Sequence, residues 1–165
     1  MIPLFDGNPV VYSCDSSSLI KASAVLYPME NFPALWEKIE ELIRSDRLKM
    51  SELVFDEAMR GEVLSGWCSR KALKPLLLSK VNELVEDAFQ SIQSGYPNLM
   101  HVATGKSLAD PWAIALAMQY QNGVVVSEEQ PAGNLQGPKI PDVCKDLGIK
   151  CVNIAGLVKS ENWIF

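Results

Sequence analysis

Two runs of consecutive apolar residues constrain this chain more than any other feature: Pro9-Val10-Val11-Tyr12-Ser13-Cys14 and Val124-Val125-Val126. A strand with one wet face alternates apolar and polar side chains, whereas a strand apolar along its length is covered on both faces. Between and after these runs lie segments with helical spacing. Strands alternating with helices, the strands buried on both sides, read as an α/β fold: a three-layer α/β/α domain around a parallel central sheet.

The pass along the chain predicts a first strand ending at Asp15 and a turn through Ser16, Ser17 and Ser18. A helix is expected over Leu19 to Leu26. A second runs from Phe32 to Leu48, where Leu35, Trp36, Ile39, Leu42 and Ile43 recur at helical spacing. Arg47 to Met50 reads as a short strand. Ser51 is a natural N-cap for a helix to Gly61. Further helices are expected over 64–73, 81–92 and 107–120, the last capped by Ser107 with Pro111 in its first turn. Residues 74–78 fit strand or helix. Ser127 to Pro141 is irregular, with three prolines and two glycines. A short helix from Pro141 to Gly148 and a strand over Cys151 to Ile154 complete the reading.

Composition narrows the function. A length of 165 residues fits one domain, residues 1–165. The 48% hydrophobic content excludes a disordered chain. No run of apolar residues is long enough to span a bilayer, and the N-terminus lacks the basic and apolar regions of a signal peptide, so a cytoplasmic protein is expected. The only histidine is His101, which rules out two-histidine metal motifs. The four cysteines form no CxxC pair and so no structural zinc motif. The net charge of −5 opposes nucleic-acid binding through bulk charge. It leaves a local basic rim around an acidic metal centre, or no nucleic acid at all.

In open parallel sheets ligands bind beyond the carboxyl ends of the strands. Asp15 falls there, as do Glu128 and Glu129. Each has a plainer use as well, Asp15 as a helix N-cap and the glutamates as solvated loop charge. Two further acids sit on inward stripes. Glu57 shares a helix face with Val54, Ala58 and Gly61, and Asp110 shares one with Ala113, Ile114 and Ala117. Glu57 has an alternative partner in Arg60 three residues on, and Asp110 has one in the helix dipole. Glu52, Asp56 and Arg60 read as an exposed, salt-bridged face. Asp142, in the first turn of its helix, suits the dipole or the site equally. Converging carboxylates repel, and unpaired buried charge is costly, so such a group needs a counter-ion. Oxygen-only ligands select a hard cation, Mg²⁺ or Mn²⁺, and such ions act on phosphates. Phosphodiester hydrolysis is the chemistry this set suits.

The ordered motifs Asp-Ser-Ser-Ser-Leu-Ile (15–20), Val-x-x-Glu (54–57), Ala-Asp-Pro-Trp-Ala-Ile-Ala-Leu-Ala (109–117) and Val-Val-Val-Ser-Glu-Glu (124–129), with Lys-Ile-Pro-Asp-Val-Cys (139–144), resemble the PIN-domain nucleases. In particular they resemble a bacterial and archaeal PIN-like branch related to toxin ribonucleases. The resemblance covers nearly the whole chain. It implies a Rossmann-like, PIN-like sheet and a Mg²⁺- or Mn²⁺-dependent endoribonuclease that cleaves single-stranded RNA to a 5′-phosphate and a 3′-hydroxyl, often as the toxin of a toxin–antitoxin pair. It carries the family acids onto Asp15, Glu57, Asp110 and Glu129, with Glu129 standing where the family more often has Asp, and adds Asp142 as a further metal ligand. Ser17 and Ser127 fall at supporting hydroxyl positions. Lys106, Lys139 and Arg60 are the candidate RNA-phosphate contacts, although surface charge accounts for each of them alone. The implied partners are the RNA, a cognate antitoxin and a second copy of the chain.

Three rivals stand beside this reading. A phosphatase of the haloacid-dehalogenase type needs a second Asp at the position held by Ser17. A non-catalytic PIN-like module acting through a protein partner would draw on the acidic charge and on Trp36, Trp67 and Trp163. A nuclease of the same fold directed at DNA would share every acid.

Overall fold

The computed structural model of the chain describes residues 8–105 and 107–165. Five strands form one parallel sheet: β1 (Val11–Cys14), β2 (Leu48–Ser51), β3 (Leu78–Ser79), β4 (Gly123–Val126) and β5 (Lys150–Val152), in the order β3-β2-β1-β4-β5. The helices are α1 (Ser16–Lys21), which widens into a π-helical turn over Ala22–Leu26, α2 (Pro33–Arg44), α3 (Glu52–Ala58), α4 (Glu62–Cys68), α5 (Lys74–Leu77), α6 (Glu83–Gly95), α7 (Asp110–Met118), α8 (Ile140–Leu147) and α9 (Ile154–Ser160). The architecture is the expected three-layer α/β/α sandwich, Rossmann-like, with an all-parallel sheet.

The pleat sorts the strand side chains. Tyr12, Cys14, Leu48, Met50, Val124 and Val126 join Leu35, Ile39 and Ile43 of α2 and Leu157 of α9 in one core. Val125 points the other way, into a second core with Val85 and Ile92 of α6, Ile114 and Leu116 of α7, and Val143 of α8. Ser13 shares that second face and spends its hydroxyl on the Ala113 carbonyl at 2.6 Å. Because α7 is apolar on nearly every side, it is buried from Asp110 to Ala117 except at the half-buried Trp112. It packs against α6, β1, β2 and β4 and is the central helix of its layer.

The structure moves several expected boundaries. Residues 74–78 become both elements, α5 running into β3. The helix opened by Ser51 stops at Ala58, and Gly61 caps α4 instead. Ser107 is not the cap of α7: its backbone is left-handed at φ 58°, and the helix starts at Asp110 with Ala109 as N-cap. The last strand ends at Val152, because Asn153 caps an unforeseen helix, α9, accepting from the Gly156 N–H at 2.8 Å. The expected Glu52–Asp56–Arg60 ion ladder is not formed among the described residues. Glu52 accepts from the Val81 N–H at 2.8 Å and ties α3 to the approach of α6.

Trp36 and Trp67 are core residues, edge to face with centroids 5.1 Å apart. Trp36 donates to the Tyr27 carbonyl at 2.7 Å and Trp67 to Glu40 at 3.0 Å. Trp163 is half-buried against the same core. On α7, Leu116 is buried, Trp112 stacks on Phe89 with ring centroids 3.9 Å apart, and Met118 is exposed. No helix among the described residues is long and apolar enough to cross a membrane.

Gly123 opens β4 where the chain turns back from α7. A Cβ there would stand 1.9 Å from the Ala117 carbonyl oxygen, a backbone atom that cannot swing aside. Gly123→Ala should therefore destabilise the fold by about 1–3 kcal/mol, the usual range for overpacking. A lowered urea midpoint with an unchanged m-value would show it.

Candidate active site

Asp15 follows β1 and Ser127 follows β4, and these two strands are where the order of connection reverses. That reversal opens the crevice in which doubly wound sheets bind ligands. The Asp15 N–H continues the ladder to the Val126 carbonyl at 2.9 Å, so the residue is fixed as rigidly as the strand. Its carboxylate does not cap α1. The Ser17 hydroxyl donates to Oδ2, and Ser127 donates to the same oxygen at 3.2 Å. Oδ1 has no hydrogen bond among the described residues. Ser127 also accepts from the Glu129 N–H at 3.2 Å, so one hydroxyl joins the ends of β1 and β4.

The other acids arrive from separate elements. Glu57 on α3 is half-buried and is held by Ser16, whose hydroxyl donates to Oε2 at 2.9 Å. Asp110 is the first residue of α7, only 6% exposed. Glu129 is half-buried, and its Oε2 accepts the Ile140 N–H at the start of α8 at 3.1 Å.

Electrostatics tie the four together. Burial, the charges of Asp15 and Glu129, and then that of Glu57 push Asp110 up to about 8, against a hydroxyl contact from Ser107. Burial pushes Asp15 up to about 6, with Glu129 and Glu57 adding to the rise while Ser17 and Ser127 oppose it. No Lys or Arg among the described residues forms an ion pair with any of the four.

Other expected residues stand elsewhere. Asp142 is apart from the row: it accepts from the backbone N–H groups of Ala132 at 2.7 Å, Gly133 at 2.9 Å and Lys139 at 2.8 Å. It folds the long loop onto α8 and completes half of a capping box. Glu128 is likewise structural, accepting from the Ile154 N–H at 2.8 Å. Arg60 and Lys139 are exposed. Lys106 lies outside the described residues. Sequence reasoning missed Ser16 as the holder of Glu57, although the serine triplet pointed to it. It also missed Lys21, which lines a cleft of about 490 Å³ with Ser16, Ser17, Glu128 and Glu129.

The donor set is oxygen throughout, carboxylates backed by serine hydroxyls, which suits a hard cation in kind and charge. As the side chains stand, no three His, Cys, Asp or Glu residues among those described are set to grip one ion together. The four carboxylates would have to close inward, and opposed like charges give them reason to do so around a positive one.

These features define a class: a Rossmann-like α/β/α domain with two buried acids, Asp15 and Asp110, and two half-buried ones, Glu57 and Glu129, at the carboxyl edge of its parallel sheet. Residues 12–165 match the family described as "Domain of unknown function (DUF4411)", and the chain belongs to that family. No curated protein matches it.

Asp110 gives a pH test. Its carboxyl holds a proton in the folded state up to about pH 8, whereas the unfolded chain releases it near 3.8. Between these limits the folded state binds more protons, so this contribution to stability is full below about pH 4 and is lost as the pH rises toward about 8. Asp110→Asn should be more stable than the parent at about pH 8, with the gap shrinking toward about pH 4. Urea unfolding of both proteins across that range measures it.

Proposed function

We propose that this chain is a metal-dependent phosphodiesterase of the PIN type that cleaves single-stranded RNA. The carrying observation is the set Asp15, Glu57, Asp110 and Glu129, four acids from four segments whose charges raise the proton affinity of Asp15 and Asp110, with no Lys or Arg among the described residues paired to any of them. The resemblance in the ordered motifs supports the choice of RNA and of a toxin partnered by an antitoxin.

In this reading Asp15, Glu57 and Asp110 would hold a divalent ion, with Glu129 beside them. A bound Mg²⁺ or Mn²⁺ supplies Lewis-acid polarisation of a phosphate and activation of a water molecule. The protein supplies the rest. Ser17 and Ser127 both hold Oδ2 of Asp15, which keeps Oδ1 open for a ligand. Ser16 aims Glu57 by holding one of its oxygens. Asp110 would have to give up its proton to hold a cation, so loading would release protons and strengthen with pH. Lys21 lines the cleft beside Ser17 and Glu129, where a phosphate of the RNA would need a cation. Arg60, Lys106 and Lys139 are the further candidates for backbone phosphates.

Cleavage of 5′-labelled single-stranded RNA in Mn²⁺ tests the proposal. Asp15→Asn and Asp110→Asn should each lose activity by on the order of a hundredfold or more, as removal of a reacting-site group does. Equal cleavage by the parent and both variants would overturn the mechanism. Cleavage of DNA in preference to RNA would keep the mechanism and overturn the substrate.

A further inference from the structure

Ser51 is the one buried side chain among the described residues with a polar atom that has no hydrogen-bond partner. It is 1% exposed. It occupies the N-cap position of α3, where a serine hydroxyl ordinarily accepts a backbone N–H of the first turn, yet it makes no such bond. A hydroxyl buried unsatisfied costs free energy, so its retention needs a reason.

Register supplies one. Ser13 of β1 pairs with Lys49 of β2 on one side and with Val125 of β4 on the other. Two residues further along each chain come Asp15, Ser51 and Ser127. Side chains two apart share a face. The rule holds on the β4 side past the end of the strand, because Ser127 bonds Asp15 there. Ser13 turns to α7 on that face through its bond to Ala113. Ser51 therefore mirrors Ser127 across Asp15, on the side of the sheet covered by α7, whose first residue is Asp110.

We propose that Ser51 is a positioning residue of the acid row, its hydroxyl held free to donate to the carboxylate of Asp15 when a divalent cation draws Asp15 and Asp110 together. This rests on the metal-binding reading of the row and assigns Ser51 a part in it that α3 does not need. The two serines then divide the work. Ser127 fixes Asp15 at all times, and Ser51 acts on the loaded site. Glu57, six residues after Ser51 on α3, depends on a different serine, Ser16, so the two roles are separable.

Mn²⁺ titration by calorimetry and thermal melts without metal, on the parent, Ser51→Ala, Ser51→Thr and Asp15→Asn, decide the matter. Ser51→Ala should melt at or above the parent temperature without metal, because an unsatisfied hydroxyl is gone. It should bind Mn²⁺ about tenfold more weakly, the loss expected when a group that orients a ligand is removed. Ser51→Thr, which keeps the hydroxyl, should recover the affinity. Mn²⁺ affinity of Ser51→Ala within twofold of the parent, with Asp15→Asn impaired, would overturn the role of Ser51 alone. A lowered melting temperature of metal-free Ser51→Ala with unchanged Mn²⁺ affinity would make the residue merely structural. No Mn²⁺ binding by the parent would overturn the metal reading and this inference with it.

Discussion

Burying Asp15 at the end of the central strand is the constraint on which the rest depends. The sheet order places β1 between β2 and β4, so Asp15, the residue that follows β1, is enclosed and only 1% exposed. A lone carboxylate in that position would be costly. Two hydroxyls soften the cost, and the carboxyl's raised proton affinity removes part of it at low pH. Neither neutralises it. Asp110, over the same edge on α7, is in a worse position, since its largest burden after burial is the charge of Asp15 itself. Structural acids in proteins are normally given a partner, as Glu161 is by Arg47 through two bonds of 2.8 Å. The same chain thus solves the problem at one end of the sheet and leaves it open at the other.

The loop from Ser127 to Pro141 shows how acids with similar sequence surroundings divide between fold and site. Glu128 and Asp142 are consumed by backbone N–H groups, at the start of α9 and across the loop. Those bonds hold a long, proline-rich segment in place with little apolar burial of its own. Glu129 is shared, one oxygen on the Ile140 N–H and its charge felt by Asp15 and Asp110. Anchoring α8 and belonging to the row are compatible because a carboxylate has two oxygens.

What the sequence discloses follows from the range of the interaction involved. Apolar runs and inward stripes are local, so the parallel sheet, α2 and the inward course of α7 are visible in residue order alone. The inward position of Asp110 is legible for the same reason: a polar residue on an apolar stripe has one place to go. Asp142 is not legible, because a dipole role, a metal role and a loop clamp predict the same residue in the same first turn, and its partners Ala132 and Gly133 are fixed only by the folded loop. The α9 helix is hidden by the pattern Cys-Val-Asn-Ile, which reads as strand until Asn153 turns to cap. The register that sets Ser51 beside Asp15 is tertiary throughout, invisible without the strand pairing.

Cavity size is a poor guide to the site here, and charge is a better one. A cavity of about 610 Å³ lies at the opposite, amino-terminal edge of the sheet, lined by Val10, Asn122, Gly123 and Lys150 among others. Its acid, Glu161, is already bound by Arg47 and by the Tyr12 hydroxyl at 2.7 Å, so it has nothing left to offer a ligand. The smaller clefts at the carboxyl edge hold Glu129 and serines that point into an uncompensated row. A ligand gains most where it relieves an existing imbalance. For four acids with no Lys or Arg paired to them among the described residues, the ligand we propose is a small, hard cation, with a phosphate as the group it would act on.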